Sequence, residues 1–283
     1  MILYKEAAAL KREIKKIRQS GKTTGFVPTM GALHSGHISL VRLSEEKTDI
    51  TICSIFVNPT QFNDPEDFKK YPVTIDNDIF LLENTGCDIL FFPEVAEIYP
   101  AGIKSYTHYN IGEFEHILEG KYRPGHFQGV CQVMHRLIDI VNPDYLFMGQ
   151  KDYQQCLVVK RLLQLIKNNT EIIIAGTLRE ETGLAMSSRN LRLSDEQKRK
   201  AATIWNMLQY IKTNYTHIPL IKIQEYVTNY LVTNSFDKVD YVAIANRDTL
   251  QEVKDTSNPG KFVALIAAFI GEVRLIDNMV LGE

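Results

Sequence analysis

Cysteine is scarce in this chain: Cys53, Cys87, Cys131 and Cys156 are scattered singly over 283 residues, with no C-x-x-C pair. That excludes a zinc ribbon and gives no disulfide framework. Long apolar runs are missing too. The most apolar window, "FVALIAAFIG" from Phe262, has ten residues, against the ~20 a membrane helix needs, and reads as a buried strand. Charge of either sign is not in excess: the net value is −2, so there is no basic field for nucleic acid. The opening "MILYKEAAALKREIKKIRQS" alternates charge with apolar residues at helical spacing and lacks a secretory pattern. Neither G-x-S-x-G nor G-x-x-x-x-G-K-[ST] occurs, which leaves a hydrolase elbow and a P-loop unsupported. With 45% hydrophobic and 23% charged residues, the expectation is a cytoplasmic enzyme of two domains.

What is present is an alternation. The runs "TTGFVPT", "ITICSIFVN", "CDILFFP", "DYLFMGQ" and "EIIIAGT" read as strands, and helices are expected to start near Gly36, Thr74, Gly129 and Asp152. Short Ile/Val/Phe-rich strands separated by helices predict a doubly wound parallel α/β sheet of Rossmann-like type over residues 1–176. From 177 to 283 the pattern changes to a smaller α+β domain. There, Ser194 caps one long amphipathic helix, "SDEQKRKAATIWNMLQYIKTNY". A second helix, "PLIKIQEYVTNYLVTN", follows, then the strands "VDYVAIAN", "KFVALIAAFI" and "VRLIDNMVL".

Several loops carry chemistry. In "TMGALHSGH", His34 and His37 are three apart and share a helix face, Gly36 allows close approach, and first-turn N–H groups without intrahelical partners favour an anion. In "MGQKDYQQ", Gly149 opens the backbone, Lys151 offers a point charge and Asp152 a cap or ribose contact, with Gln155 one turn on. In "GLAMSSRN", two hydroxyls precede Arg189, a loop suited to phosphates. Asn58 and Gln61 in "FVNPTQF" offer amides for a small acid, and "KYRPGHFQGV" groups Lys121, Arg123 and His126 as a basic lid. Asp76 and Asp78 lack the glycine turn and distant glutamate of a calcium loop, so metal ligands stay unassigned. Taken alone, the histidine pair, the Gly149 loop and the Asn58 turn read first as a capped helix start or a polar turn. Their convergence on one sheet edge favours a nucleotide site.

The His34/His37 pair together with "GLAMSSRN" resembles the HIGH-type nucleotidyltransferase superfamily. "PTMGALHSGH", "IFVNPTQF", "EGKYRPGHFQGV", "PDYLFMGQKDYQQ", "GLAMSSRN" and the late "RLIDN" narrow the resemblance to the pantoate–β-alanine ligase family. The resemblance implies ATP- and Mg2+-dependent joining of pantoate and β-alanine through a bound pantoyl adenylate, releasing AMP and pyrophosphate. It implies ATP-binding roles for Met30, Gly31, Ala32, Leu33, His34, Ser35, Gly36 and His37, for Gly149, Gln150, Lys151 and Asp152, for the backbone of Leu178 at a strand position, and for Met186, Ser187, Ser188 and Arg189. It makes His37 the proton donor, with His34, Lys151 and Arg189 as further catalytic groups. Gln61 and Gln155 would hold pantoate, Gln61 also β-alanine. A homodimer is implied, with the smaller domain closing over the active site. The sequence departs from the family pattern at Gln150, where an acid is common, at Val73, where Arg often follows "YP", and at Leu178, which replaces Val. His37 is expected to gain a proton or strengthen its hydrogen bonds as ATP binds. The alternatives are another adenylyl- or cytidylyltransferase and a nucleotide-sensing protein without catalysis.

Overall fold

A computed structural model describes residues 1–103, 107–234, 236–255 and 261–282. The chain divides into two compact units, Met1–Gly149 with Gln155–Gly176, and Gln150–Gln154 with Thr177–Glu283.

The first unit is built on six strands: β1 (Ile2–Tyr4), β2 (Thr24–Thr29), β3 (Ile50–Ile55), β4 (Ile89–Phe91), β5 (Tyr145–Gly149) and β6 (Glu171–Ala175). They lie in the order β1-β4-β3-β2-β5-β6, and every pairing is parallel. Successive residues point to opposite faces of a strand, and here both faces are apolar. Phe26, Ile52, Ile89, Phe91, Leu146 and Met148 join one core with Leu10, Ile14 and the helix His126–Val141. Their neighbours Val27, Cys53, Leu90 and Phe147 join another with Leu33, Leu40, Val41 and Leu82. A sheet buried on both sides is what the unbroken apolar runs require. Burial pushes the Cys87 and Cys131 thiols up to about 12, so they stay protonated and serve as packing.

β2 and β5 are neighbours, paired through Gly25 with Tyr145 and Phe26 with Leu146. From β2 the chain runs outward one way through β3 and β4, and from β5 the other way to β6. The carboxyl ends of β2 and β5 therefore flank the switch point where open α/β sheets take ligands.

Two boundaries differ from expectation in this unit. β1 was hidden inside what reads as a helix. It has three residues, pairs only with β4, and is too exposed to show alternation, while the helix starts at Ala7. The helix expected near Gly129 starts at His126, because Gly125 takes a left-handed φ of 81° and turns the chain into it.

The second unit carries the antiparallel sheet β7 (Lys238–Asn246), β8 (Phe262–Ile270) and β9 (Val273–Leu281), in that order. Ile244, Ala264, Ile266 and Ala268 share a core with Met207, Leu208, Ile211, Ile223, Val227 and Leu231 from the helices Thr203–Asn214 and Leu220–Thr233. Ser194 does cap a helix, with Gln197 returning the bond to its backbone. The expected single helix is nevertheless two, Asp195–Ala201 and Thr203–Asn214, joined by a turn at Ala202. No glycine or proline marks that break.

Candidate active site

β2 ends in a tight loop that a buried carboxylate holds. The Thr29 hydroxyl donates to the Ser54 carbonyl at 2.7 Å and accepts from the Gly31 N–H at 3.2 Å. Gly31 and Ala32 then take left-handed φ values of 79° and 48°. A Cβ on Gly31 would sit 3.0 Å from Asp78 Oδ2 and 3.1 Å from Ile55 Cγ2, so glycine is required twice over. Asp78, 1% exposed, accepts from the N–H of Ala32 at 2.9 Å, from that of Leu33 at 2.8 Å and from the Thr74 hydroxyl at 2.9 Å.

His34 and His37 complete the loop. His34 is the N-cap of the helix Ser35–Lys47 and its Nδ1 accepts from the Gly36 N–H at 3.1 Å. The His37 Nδ1 accepts from the His34 N–H at 3.4 Å. The rings lie with centroids 4.1 Å apart and planes tilted by 36°. Two histidines thus form a capping box, a task usually done by Ser/Thr with Glu/Gln. This changes the expected origin of anion binding. The N–H groups of Gly31, Ala32, Leu33, His34 and Gly36 all have protein acceptors. With both Nδ1 atoms accepting, each neutral ring carries its proton on Nε2. The loop offers imidazole N–H donors rather than a bare helix N-terminus.

A third group of residues prepares an amide. Asn58, 1% exposed, accepts at Oδ1 from the Tyr99 hydroxyl at 2.7 Å and from the Thr60 hydroxyl at 3.1 Å. Its Nδ2 donates to the Gly129 carbonyl at 3.2 Å and to Gln61 Oε1 at 3.1 Å. Gln61 Nε2 in turn lies 2.9 Å from the Met30 sulfur. The turn Pro59–Gln61 can reach the helix His126–Val141 this closely because residue 129 is glycine: a Cβ there would lie 2.1 Å from the Thr60 carbonyl. The expected basic lid takes another form. His126 is buried and meets the Gln61 carbonyl at 2.7 Å, and Arg123 engages Asn63, Glu119 and His126. Of the three lid residues Lys121 is the exposed one. Gln155 lies half-buried in the helix Tyr153–Leu165, and a separate cavity of about 560 Å³ beside the loop, lined by Met30, Gly31, Phe56, Val73 and Phe92, includes neither glutamine.

In the second unit, the short turn Gln150–Asp152 is fixed by β9. The Asn278 amide donates to the carbonyls of both Gln150 and Lys151 at 2.9 Å, and its Oδ1 accepts from Gln150 Nε2 at 3.2 Å. A carboxylate at 150 could not donate that last bond, so the glutamine there has a structural use. Lys151 Nζ lies 3.5 Å from Asp152. The segment 178–190 folds back on itself: Leu178 accepts from Met186 N–H at 3.0 Å, and Arg179 and Ala185 pair as a lone bridge. Leu178 is therefore not in a strand; β6 stops at Ala175. Arg179 grips Asp277 with both terminal nitrogens, at 2.6 and 3.0 Å, donates to the Gly183 carbonyl at 3.1 Å, and stacks 3.7 Å from the centre of the Trp205 ring. Asn190 donates to the Ala185 carbonyl at 3.1 Å and to Glu180 at 3.0 Å. Ser187 caps the turn that carries Ser188 and Arg189.

Sequence reasoning missed Asp78, Tyr99, Arg179, Asp277 and Trp205. Asp78 stood out only as half of a failed metal motif. Among the described residues no group of three His, Cys, Asp or Glu could hold a metal, and the Asp78 carboxylate is spent on the loop. A resident metal does not fit these residues.

Against known proteins, the profile of the family described as Pantoate-beta-alanine ligase matches residues 2–280. Pantothenate synthetases from Caldicellulosiruptor bescii and Cytophaga hutchinsonii are 40% and 41% identical, each over 99% of both chains. The crystal structure of pantothenate synthetase from Thermus thermophilus superposes with a TM-score of 0.90 at 36% identity, over 99% of each chain. The pantoate-beta-alanine ligase of Francisella tularensis, complexed with beta-gamma ATP and beta-alanine, gives 0.84 at 37% identity, over 99% of this chain and 97% of that one.

Proposed function

The chain belongs to the pantoate-beta-alanine ligase family, and from that premise we propose how its residues join pantoate to β-alanine with ATP. The pantoate carboxylate attacks the α-phosphorus, the bond to the bridging oxygen breaks, and pyrophosphate leaves. The β-alanine amine then attacks the acyl carbon of the pantoyl adenylate, loses a proton, and AMP leaves.

Phosphoryl transfer of this kind needs positioned donors more than a covalent nucleophile. His34 and His37 supply Nε2–H donors to the triphosphate. His37 donates through Nε2, its Nδ1 being engaged by the His34 N–H. Lys151 and Arg189 supply positive charge, and Met186 to Arg189 follow the departing pyrophosphate. Gln61, with its carboxamide pre-set by Asn58, binds pantoate and then β-alanine; Gln155 binds pantoate. Mg2+ enters with ATP, since these residues form no seat of their own for it. As the family resemblance implies, the enzyme works in the cytoplasm as a homodimer.

The double-histidine capping box is the observation that carries the reading, because it occupies both Nδ1 atoms as acceptors in the loop after β2 and leaves Nε2 as the donor of each neutral ring. Pyrophosphate release from ATP and Mg2+ should require pantoate, yield pantothenate once β-alanine is added, and collapse in His37→Ala. ATP binding without pantoate-dependent pyrophosphate would overturn it.

A further inference from the structure

We propose that His126 is a positioning residue for Gln61, acting through a single ring tautomer locked by Arg123. The proposal rests on the reading of Gln61 as a substrate-binding residue. The ring is 5% exposed and bonded on both sides: Nδ1 lies 2.7 Å from the Gln61 carbonyl and Nε2 lies 3.1 Å from Arg123 Nη1.

The two partners dictate where the proton is. A backbone carbonyl can only accept, so Nδ1 must carry the hydrogen. A guanidinium is always charged and can only donate, so Nε2 must present its lone pair. No other neutral tautomer satisfies both bonds. Arg123 is itself fixed, by Asn63 at 3.3 Å through its Nε and by Glu119 at 3.7 Å. The Gln61 carbonyl ends the Pro59–Gln61 turn, and Asn63 lies two residues beyond it. Arg123 and His126 therefore grip that end at two points, while Asn58 sets the Gln61 carboxamide from the other side at 3.1 Å. A glutamine side chain that must receive two successive substrates gains from a backbone held against rotation.

The tautomer makes the test specific. Asparagine at 126 places its amide N–H near the position of Nδ1, whereas glutamine reaches toward that of Nε2. His126→Asn should keep the KM for pantoate within about threefold, and His126→Gln should raise it about tenfold or more, with the KM for ATP unchanged in both. A spectroscopic readout stands beside the kinetics: 15N NMR of the wild-type imidazole should show the Nδ1–H form. Equal pantoate KM values in the two variants, or a joint rise of the ATP and pantoate KM values tracking a lower Tm, would overturn the proposal. So would an Nε2–H ring in the wild type. Wild-type enzyme lacking pantoate-dependent pyrophosphate release would instead overturn the reading of Gln61, a failure separate from this one.

Discussion

The loop after β2, residues 30–37, and the segment 178–190 both looked like anion-binding turns in the sequence, yet opposite groups hold them. The first is held by an acceptor: the Asp78 carboxylate takes two consecutive N–H groups. The second is held by donors: Arg179 and Asn190 take the carbonyls of Gly183 and Ala185. An acceptor beneath a loop uses up N–H groups that would otherwise face phosphate, so side chains must do the binding, and the loop carries two histidines. Donors beneath a loop use up carbonyls, and this segment carries Ser187, Ser188 and Arg189. What a loop presents to a ligand depends on which half of its backbone polarity the scaffold has already satisfied.

If this contrast is right, removing each anchor should do different damage, the most at Asp78. Asp78→Ala takes the acceptor from two buried N–H groups, at about 1–3 kcal/mol each, and should lower stability by ~3–5 kcal/mol. Pyrophosphate release should fall at least a hundredfold, because the histidines ride on that loop. Denaturant unfolding and the release assay would measure both, and near wild-type values in either would break the comparison. Arg179→Ala should come next. It leaves the buried Asp277 carboxylate without its cation, a loss of about 3 kcal/mol by the usual behaviour of broken buried pairs. Its kinetic signature should be a higher KM for ATP.

Asn278→Ala sharpens the contrast further. Its side chain holds the carbonyls of Gln150 and Lys151, so it anchors by donation, as Arg179 does. A stability loss of about 1–2 kcal/mol is expected, with the KM for ATP several-fold higher and the pantoate KM unmoved. A pantoate effect equal to the ATP effect would show that Asn278 does more than orient the Lys151 turn.

The anchors also mark how far the sequence could be read. Strands buried on both faces advertise themselves as unbroken Ile/Val/Phe runs, and β2 to β5 were legible for that reason, while the half-exposed edge strand β6 showed through its run of three isoleucines. Ser194 was legible as a cap because an acidic first turn, Asp195 and Glu196, follows it directly. The loops carrying His34, His37, Lys151 and Arg189 stood out through glycine, hydroxyl and basic residues within a few positions of each other. What holds them did not, because Asp78 lies 45 and 46 residues from the N–H groups it accepts, Asp277 lies 98 from Arg179, and Asn278 lies 127 and 128 from the carbonyls it serves. No local period records such pairs. β1 failed for a different reason: three residues, two of them exposed, against one neighbour are too few to show a strand pattern. The break at Ala202 left no mark at all.

The smallest effect is expected at Asp277, the partner in the Arg179 pair whose removal looks most damaging on a list of contacts. Its carboxyl is almost wholly buried, and that burial pushes its pKa up from the ordinary 3.8 even though Arg179 and the Asn278 N–H pull the other way. Desolvation therefore outweighs the bridge. A group whose folded pKa lies above its unfolded value binds more protons when folded, so its stabilising contribution is full below the unfolded value. It is lost as pH rises through the folded one. Asp277→Asn keeps an oxygen for Arg179, while the guanidinium retains the Gly183 carbonyl and the Trp205 face. The variant should unfold within about 1 kcal/mol of wild type at pH 7. It should also lack the decline in stability that wild type shows on raising the pH from 3.8 through the carboxyl's raised value. Urea unfolding of the two proteins at several pH values between about 3.5 and 7 would show it. A loss in Asp277→Asn as large as in Arg179→Ala would mean that the bridge outweighs desolvation, and the segment would then be held by charge rather than by donation to its carbonyls.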